Sequence, residues 1–147
     1  MELNTASEAI SFSRELEGKS AKFYGNLAQK YADEREEFLS FARENDKNIT
    51  QVQRAYYGVI SDALEGCFSF KGIDTDNYSI ETKLPEDVSY ADALGMAVAL
   101  EEIIVKFYMD AAKVSKSLMA DVPRAFERIV KKRNERILTL KALLKGN

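Results

Sequence analysis

The sequence predicts an all-α protein: an antiparallel four-helix bundle built from two helical hairpins joined by a long crossover. Three observations carry this expectation. Apolar residues recur at steps of three and four along four long stretches. Only two prolines and seven glycines occur in 147 residues, which leaves room for long helices. The first and third stretches also read as copies of each other. A chain of this length fits one domain, spanning 1–147.

The first helix is expected over about 5–31, because Thr5 and Glu8 have the spacing of a capping box. The second is expected over about 34–63, after a short connection near 31–33. The third starts at Ser89, with Asp92 three residues on, and runs to about 116. The fourth covers about 121–145, with Asp121 as N-cap, Pro123 in its first turn and Gly146 at its stop. The short connections near 31–33 and 117–121 each make an antiparallel hairpin. The crossover, 64–88, contains Gly66, Gly72 and Pro85. Its surroundings from Asp62 through Asp92 hold eight acids against Lys71 and Lys83. Asp74-Thr75-Asp76-Asn77 has some of the acids of a calcium loop but lacks the glycine and glutamate that such a loop requires.

Composition excludes several function classes. Hydrophobic residues make up 46% and charged residues 31%, an ordinary globular balance. The net charge of −3 gives no global pull toward nucleic acid or an anionic membrane. No apolar run approaches the ~18 residues of a membrane span, and the N-terminus lacks the basic and apolar regions of a secretory signal. A cytoplasmic address is expected. Cys67 is the one cysteine, so no intramolecular disulfide or CxxC metal site is possible. The sequence contains no histidine, which removes Ser-His-Asp and Cys-His catalysis and the commonest transition-metal ligand.

Each apolar stripe is interrupted near its middle by a strongly polar residue. Helix 1 presents Ile10, Ser13, Glu17, Ala21, Tyr24 and Leu27. Helix 2 presents Phe38, Phe41, Asn45, Asn48, Val52, Ala55 and Val59. Helix 3 presents Leu94, Val98, Glu101, Val105 and Tyr108. Helix 4 presents Val122, Phe126, Ile129, Arg133, Arg136, Leu140 and Leu143. Matching depth points to one interior layer of Glu17, Asn45, Asn48, Glu101, Arg133 and Arg136. Its formal charges cancel. Arginine forks suit carboxylates bidentately, and asparagine offers both a donor and an acceptor, so such a layer satisfies itself without an added ion.

The internal copies are Leu16-Glu17, Lys22-Phe23-Tyr24 and Leu27-Ala28 in helix 1, against Leu100-Glu101, Lys106-Phe107-Tyr108 and Ala111-Ala112 in helix 3. With these motifs, nearly the whole chain resembles the rubrerythrin branch of the ferritin-like superfamily. The resemblance implies a ferritin-like bundle and makes Glu17 and Glu101 counterparts of metal-binding glutamates. It makes Asn45 with Asn48, and Arg133 with Arg136, counterparts of the Glu-x-x-His pairs that would complete a di-iron site. Four of those six positions depart from the pattern, and the family's rubredoxin-like iron domain is not expected here. At ~5 Å and an effective dielectric of ~20, each guanidinium would oppose a divalent ion by roughly 7 kcal/mol before screening. The six positions are therefore expected to be vestigial, with Tyr24 and Tyr108 beside them and no cofactor bound.

The expected function is a non-catalytic binding or assembly module that has lost its di-iron site. The competing reading is an iron-binding oxidoreductase of rubrerythrin type, a peroxidase or ferroxidase, with a displaced carboxylate site drawing on Glu44, Asp46 or Glu102. A polyanion binder is a third class, since the fourth helix carries eight basic residues against Glu127 and Glu135; no nucleic-acid motif accompanies them. The expected partner is a second copy of the chain, with hairpins exchanged or not, because Phe68, Phe70 and Tyr78 of the crossover need cover. No nucleic-acid or membrane partner is expected.

Overall fold

The structure is a computed structural model that describes residues 1–59, 72–115 and 121–146. Four long helices dominate it: α1 (Ala6–Lys30), α2 (Arg35–Val59), α3 (Tyr90–Ser115) and α4 (Asp121–Gly146). α1 packs along α2 and α3 along α4, two hairpins set against each other chiefly through α2 and α4. Among the described residues no helix is long and apolar enough to cross a membrane.

Local chemistry explains the helix ends. The Thr5 hydroxyl accepts from the Glu8 amide at 3.1 Å, and Glu8 returns a bond to the Thr5 amide at 3.1 Å, the reciprocal capping box. Ser89 accepts from the Asp92 amide at 3.1 Å at the head of α3. A single 3-10 turn, Ala32–Glu34, makes the short connection into α2. α4 begins at Asp121 itself, so this residue is the first of the helix rather than its cap.

The core is broader than the stripes read from steps of three and four. Ala21, Ala55, Val98 and Leu143 are half-buried, while Leu16, Phe23, Leu100, Ile104 and Phe107 are fully covered. The physical reason is that α1 and α3 each face more than one neighbour, so their apolar face exceeds a coiled-coil seam. Ala93, Ala97 and Ala111 are also buried on α3.

The described part of the crossover is tied to both ends of α1. Leu3 donates to the Ile73 carbonyl at 2.8 Å and Thr75 to the Met1 carbonyl at 2.9 Å, and Leu3 and Ile73 are buried beneath this bridge. The Asp74–Asn77 stretch continues into a 3-10 turn, Thr75–Tyr78, in which Asp74 accepts from the Asp76 amide. Tyr78 is buried edge-on against Phe107, close to Phe12, and donates to Asp110 at 2.5 Å. This corrects one expectation: Tyr78 is covered by its own chain and gives no reason for a dimer. Phe68, Phe70 and Cys67 lie outside the described residues. Farther on, Lys30 donates to the Glu86 carbonyl at 2.9 Å, which seats the crossover on the end of α1.

Candidate functional site

The polar residues that interrupt the four stripes meet in one buried layer. Glu17, Asn45, Asn48, Glu101 and Arg133 are fully buried and Arg136 is 2% exposed. A guanidinium occupies its centre. Arg133 Nη1 donates to both oxygens of Glu101 at 2.7 Å, and its Nη2 donates to Glu17 Oε2 and, at 3.1 Å, to Asn45 Oδ1. One cation therefore joins carboxylates from α1 and α3.

Arg136 extends the layer toward the surface. Its Nη1 donates to Glu101 Oε1 at 3.0 Å and Asn45 Oδ1 at 3.2 Å; its Nη2 donates to the Phe41 carbonyl at 3.2 Å and Glu44 Oε1 at 3.0 Å. Its guanidinium also lies 4.7 Å from the Phe41 ring centroid and 5.1 Å from that of Tyr24, within cation–π range. Both glutamates accept from the arginines, but unevenly. Arg133 bonds to both, whereas Arg136 bonds to Glu101 and to Glu44.

The tyrosines close the remaining carboxylate positions, crosswise. Tyr24 of α1 donates to Glu101 of α3 at 2.7 Å, and Tyr108 of α3 donates to Glu17 of α1 at 2.9 Å. With the single phenolic proton of Tyr108 given to Glu17, the Ser13 hydroxyl, 2.7 Å away, donates to Tyr108. Asn48 donates to Glu17 Oε1 at 3.2 Å, and Asn45 donates to Ser20 at 3.1 Å.

Electrostatics follow from this geometry. Burial alone would raise the Glu101 carboxyl, but Arg133 and Arg136 overcome it and hold it below the usual carboxylate range. Burial would lower Arg133, yet Glu101 and Glu17 keep its guanidinium above its ordinary value. Tyr24 and Tyr108 are pushed well above the phenol range, first by burial and then by the neighbouring Glu101 and Glu17 respectively. These four groups thus keep the charge their neighbours need: the Glu101 carboxylate ionised, the Arg133 guanidinium protonated, the two phenols neutral. Within the layer three buried atoms, Asn48 Oδ1 and the Nε of both arginines, have no hydrogen-bond partner among the described residues.

Sequence reasoning missed two members. Glu44, a displaced-ligand candidate on the sequence alone, is half-buried and pairs with Arg136. Ser20 went unnoticed; its position one turn after Glu17 was the available signal. Asp46 and Glu102, the other displaced-ligand candidates, are exposed and stand outside the layer. Two of the basic residues of α4 turn inward as Arg133 and Arg136, which leaves Arg124, Arg128, Lys131, Lys132, Lys141 and Lys145 toward its outer side.

No protein-family model, curated protein or solved structure matches this chain.

The residues do not fit a di-iron centre. Both oxygens of Glu101 accept from a guanidinium, and so does one of Glu17. Among the described residues no three Asp, Glu, Cys or His side chains converge in a group able to hold a metal ion.

Proposed function

We propose that this chain is a degenerate ferritin-like protein of rubrerythrin type, a non-catalytic binding or assembly module in which a Glu–Arg–Asn network stands where relatives of that kind carry iron. The observation that carries the reading is the position of Arg133. Its guanidinium lies between Glu17 and Glu101, the two carboxylates that the resemblance makes metal ligands, and it satisfies both. A fixed cation supplied by the chain cannot change oxidation state or open a coordination position, so the layer has a structural task in place of a redox one. Buried charges are tolerated where they are paired and hydrogen-bonded, and this layer meets that condition with its own residues. The two tyrosines act in this reading as hydrogen-bond donors to the carboxylates.

The test is elemental analysis of protein purified after growth in iron-rich medium. The expected result is iron, manganese and zinc each well below one ion per chain, with ferrous iron added anaerobically and then exposed to air oxidising no faster than in a protein-free control. Two metal ions per chain, lost on Glu17→Ala and Glu101→Ala, would overturn the reading and restore the oxidoreductase.

A further inference from the structure

The groove between α2 and α4 carries cations on both of its sides. Gln51, Arg54 and Ala55 of α2 and Arg128 of α4 line an open pocket of about 380 Å³ there, large enough for a small molecule. Both arginines are exposed, and neither has an ion pair or hydrogen bond among the described residues. Gln51 has the opposite shortage. Its Oε1 is buried and accepts from no described donor, and one turn earlier the fully buried Asn48 leaves its Oδ1 unpartnered as well. A buried acceptor without a donor costs stability, so this wall of the groove asks for a donor that the described residues do not supply.

The basic residues continue along the groove. Arg124, Arg128 and Lys132 follow one another at steps of four on α4, and Lys47 and Arg54 lie one turn to either side of Gln51 on α2. Like charges four residues apart oppose each other on a helix. Arg124 also sits in the first turn of α4, at the positive end of the helix dipole. Local stability therefore does not account for this row. We propose that the pocket binds a phosphate monoester that carries hydroxyl groups, such as a sugar phosphate. The phosphate takes the forks of Arg54 and Arg128, which suit its oxygens bidentately. A hydroxyl of the same molecule donates to Gln51 Oε1. Lys47, Arg124 and Lys132 draw the anion in from either side. Charge thus selects an anion, and the Gln51 acceptor selects among anions for one that brings a donor, which sulfate at neutral pH does not. The site stands apart from the polar layer, and the proposal is independent of what that layer holds.

Calorimetric titration of the full chain at low ionic strength, about 0.01 M, where exposed charges are little screened, tests it. Ribose phosphate should bind with a dissociation constant of about 1 mM or below and about tenfold tighter than sulfate. Ribose without phosphate should not bind. Arg54→Gln and Arg128→Gln should each weaken ribose phosphate about tenfold, with unchanged helical circular dichroism. Gln51→Leu should bring ribose phosphate down to the level of sulfate and leave sulfate where it was. The proposal is overturned if the parent protein takes up no ribose phosphate at about 10 mM, if either arginine variant binds it as tightly as the parent, or if Gln51→Leu keeps the full preference over sulfate. A short oligothymidylate that outcompetes ribose phosphate, and that loses as much with Arg124→Gln or Lys132→Gln as with Arg128→Gln, would also overturn it, in favour of a nucleic-acid strand along the whole row.

Discussion

Tyr24 and Tyr108 exchange partners: each donates to the glutamate that belongs to the other copy of the internal repeat. Within helix α1, Glu17 precedes Tyr24 by seven residues, and within α3 Glu101 precedes Tyr108 by the same number. Yet Tyr24 bonds to Glu101 and Tyr108 to Glu17, both across the bundle. Hydrogen bonds to charged groups are worth about 1.5–3 kcal/mol. Tyr24→Phe and Tyr108→Phe should each cost about that much in urea unfolding. A change under about 0.5 kcal/mol for either would show that the arginines alone hold that carboxylate.

Removal of Arg133 should be far more damaging than loss of a surface cation. Arg133→Ala leaves two buried carboxylates without their shared partner, and Glu101→Ala leaves buried positive charge. Each should cost about 3–5 kcal/mol, against about 0–1 kcal/mol for an exposed pair such as Lys19 with Glu15. The double variant should cost clearly less than the sum of the singles, because the interaction is lost once. Strict additivity would mean that the two side chains do not act as one unit.

Stability should be lost at both extremes of pH, for opposite reasons. Glu101 is held below its ordinary value of 4.5. Its contribution is complete above that pH and fades as pH falls, because the unfolded chain takes up a proton that the folded chain refuses. Tyr24 and Tyr108 are held above their ordinary value of 10.0. Their contribution is complete below pH 10 and falls as pH rises further, since the unfolded chain releases protons the folded chain retains. Phenolate absorbance should therefore show two tyrosines titrating only together with loss of helical signal. Early, reversible ionisation of every tyrosine in the folded protein would contradict this.

Installing the rubrerythrin-type ligand pattern that the sequence resembles should convert the layer to a metal site. The variant with Glu at 45 and 133 and His at 48 and 136 replaces two guanidiniums and two amides with ligands. Without metal it gathers four carboxylates in the interior and should melt below the parent. Ferrous iron should then raise its melting temperature, and a chelator should reverse the gain, because a ligand that binds only the folded state adds stability. The parent should respond to neither. An equal response from both proteins would place the metal somewhere other than the layer.

Much of this arrangement was legible in the chain. Apolar spacing located four helices, Thr5 with Glu8 located a start, and six polar residues at matching depth proved to be one buried layer. Pairing inside the layer was less legible, because periodicity gives the face of a residue and not the reach of its side chain. Arg136 sits one turn beyond Arg133, nearer the edge of the bundle, so its fork meets Glu44 and the Phe41 carbonyl as well as Glu101. Glu44 stands beside the stripe, outside the positions that periodicity selects, and a long arginine reaches it there. Cover for Tyr78 was illegible for a related reason. An aromatic in an irregular segment has no period, and only the fold brings Phe12 and Phe107 around it.

The crossed tyrosines and the shared arginine also control which way the halves come together. Neither hairpin balances its own charge: Glu17 of the first depends on Arg133 of α4, and the second carries two arginines in the layer for one glutamate. A slide of α1 by one turn, about 5.4 Å, would carry Ser13 or Ala21 to the level of Arg133 and strand a carboxylate among apolar side chains. Greasy faces alone would tolerate such a slide at small loss. The interior charges thus work as an alignment key, rejecting misaligned dockings that the rest of the interface would accept, and they ask the two repeats to find each other before either is complete.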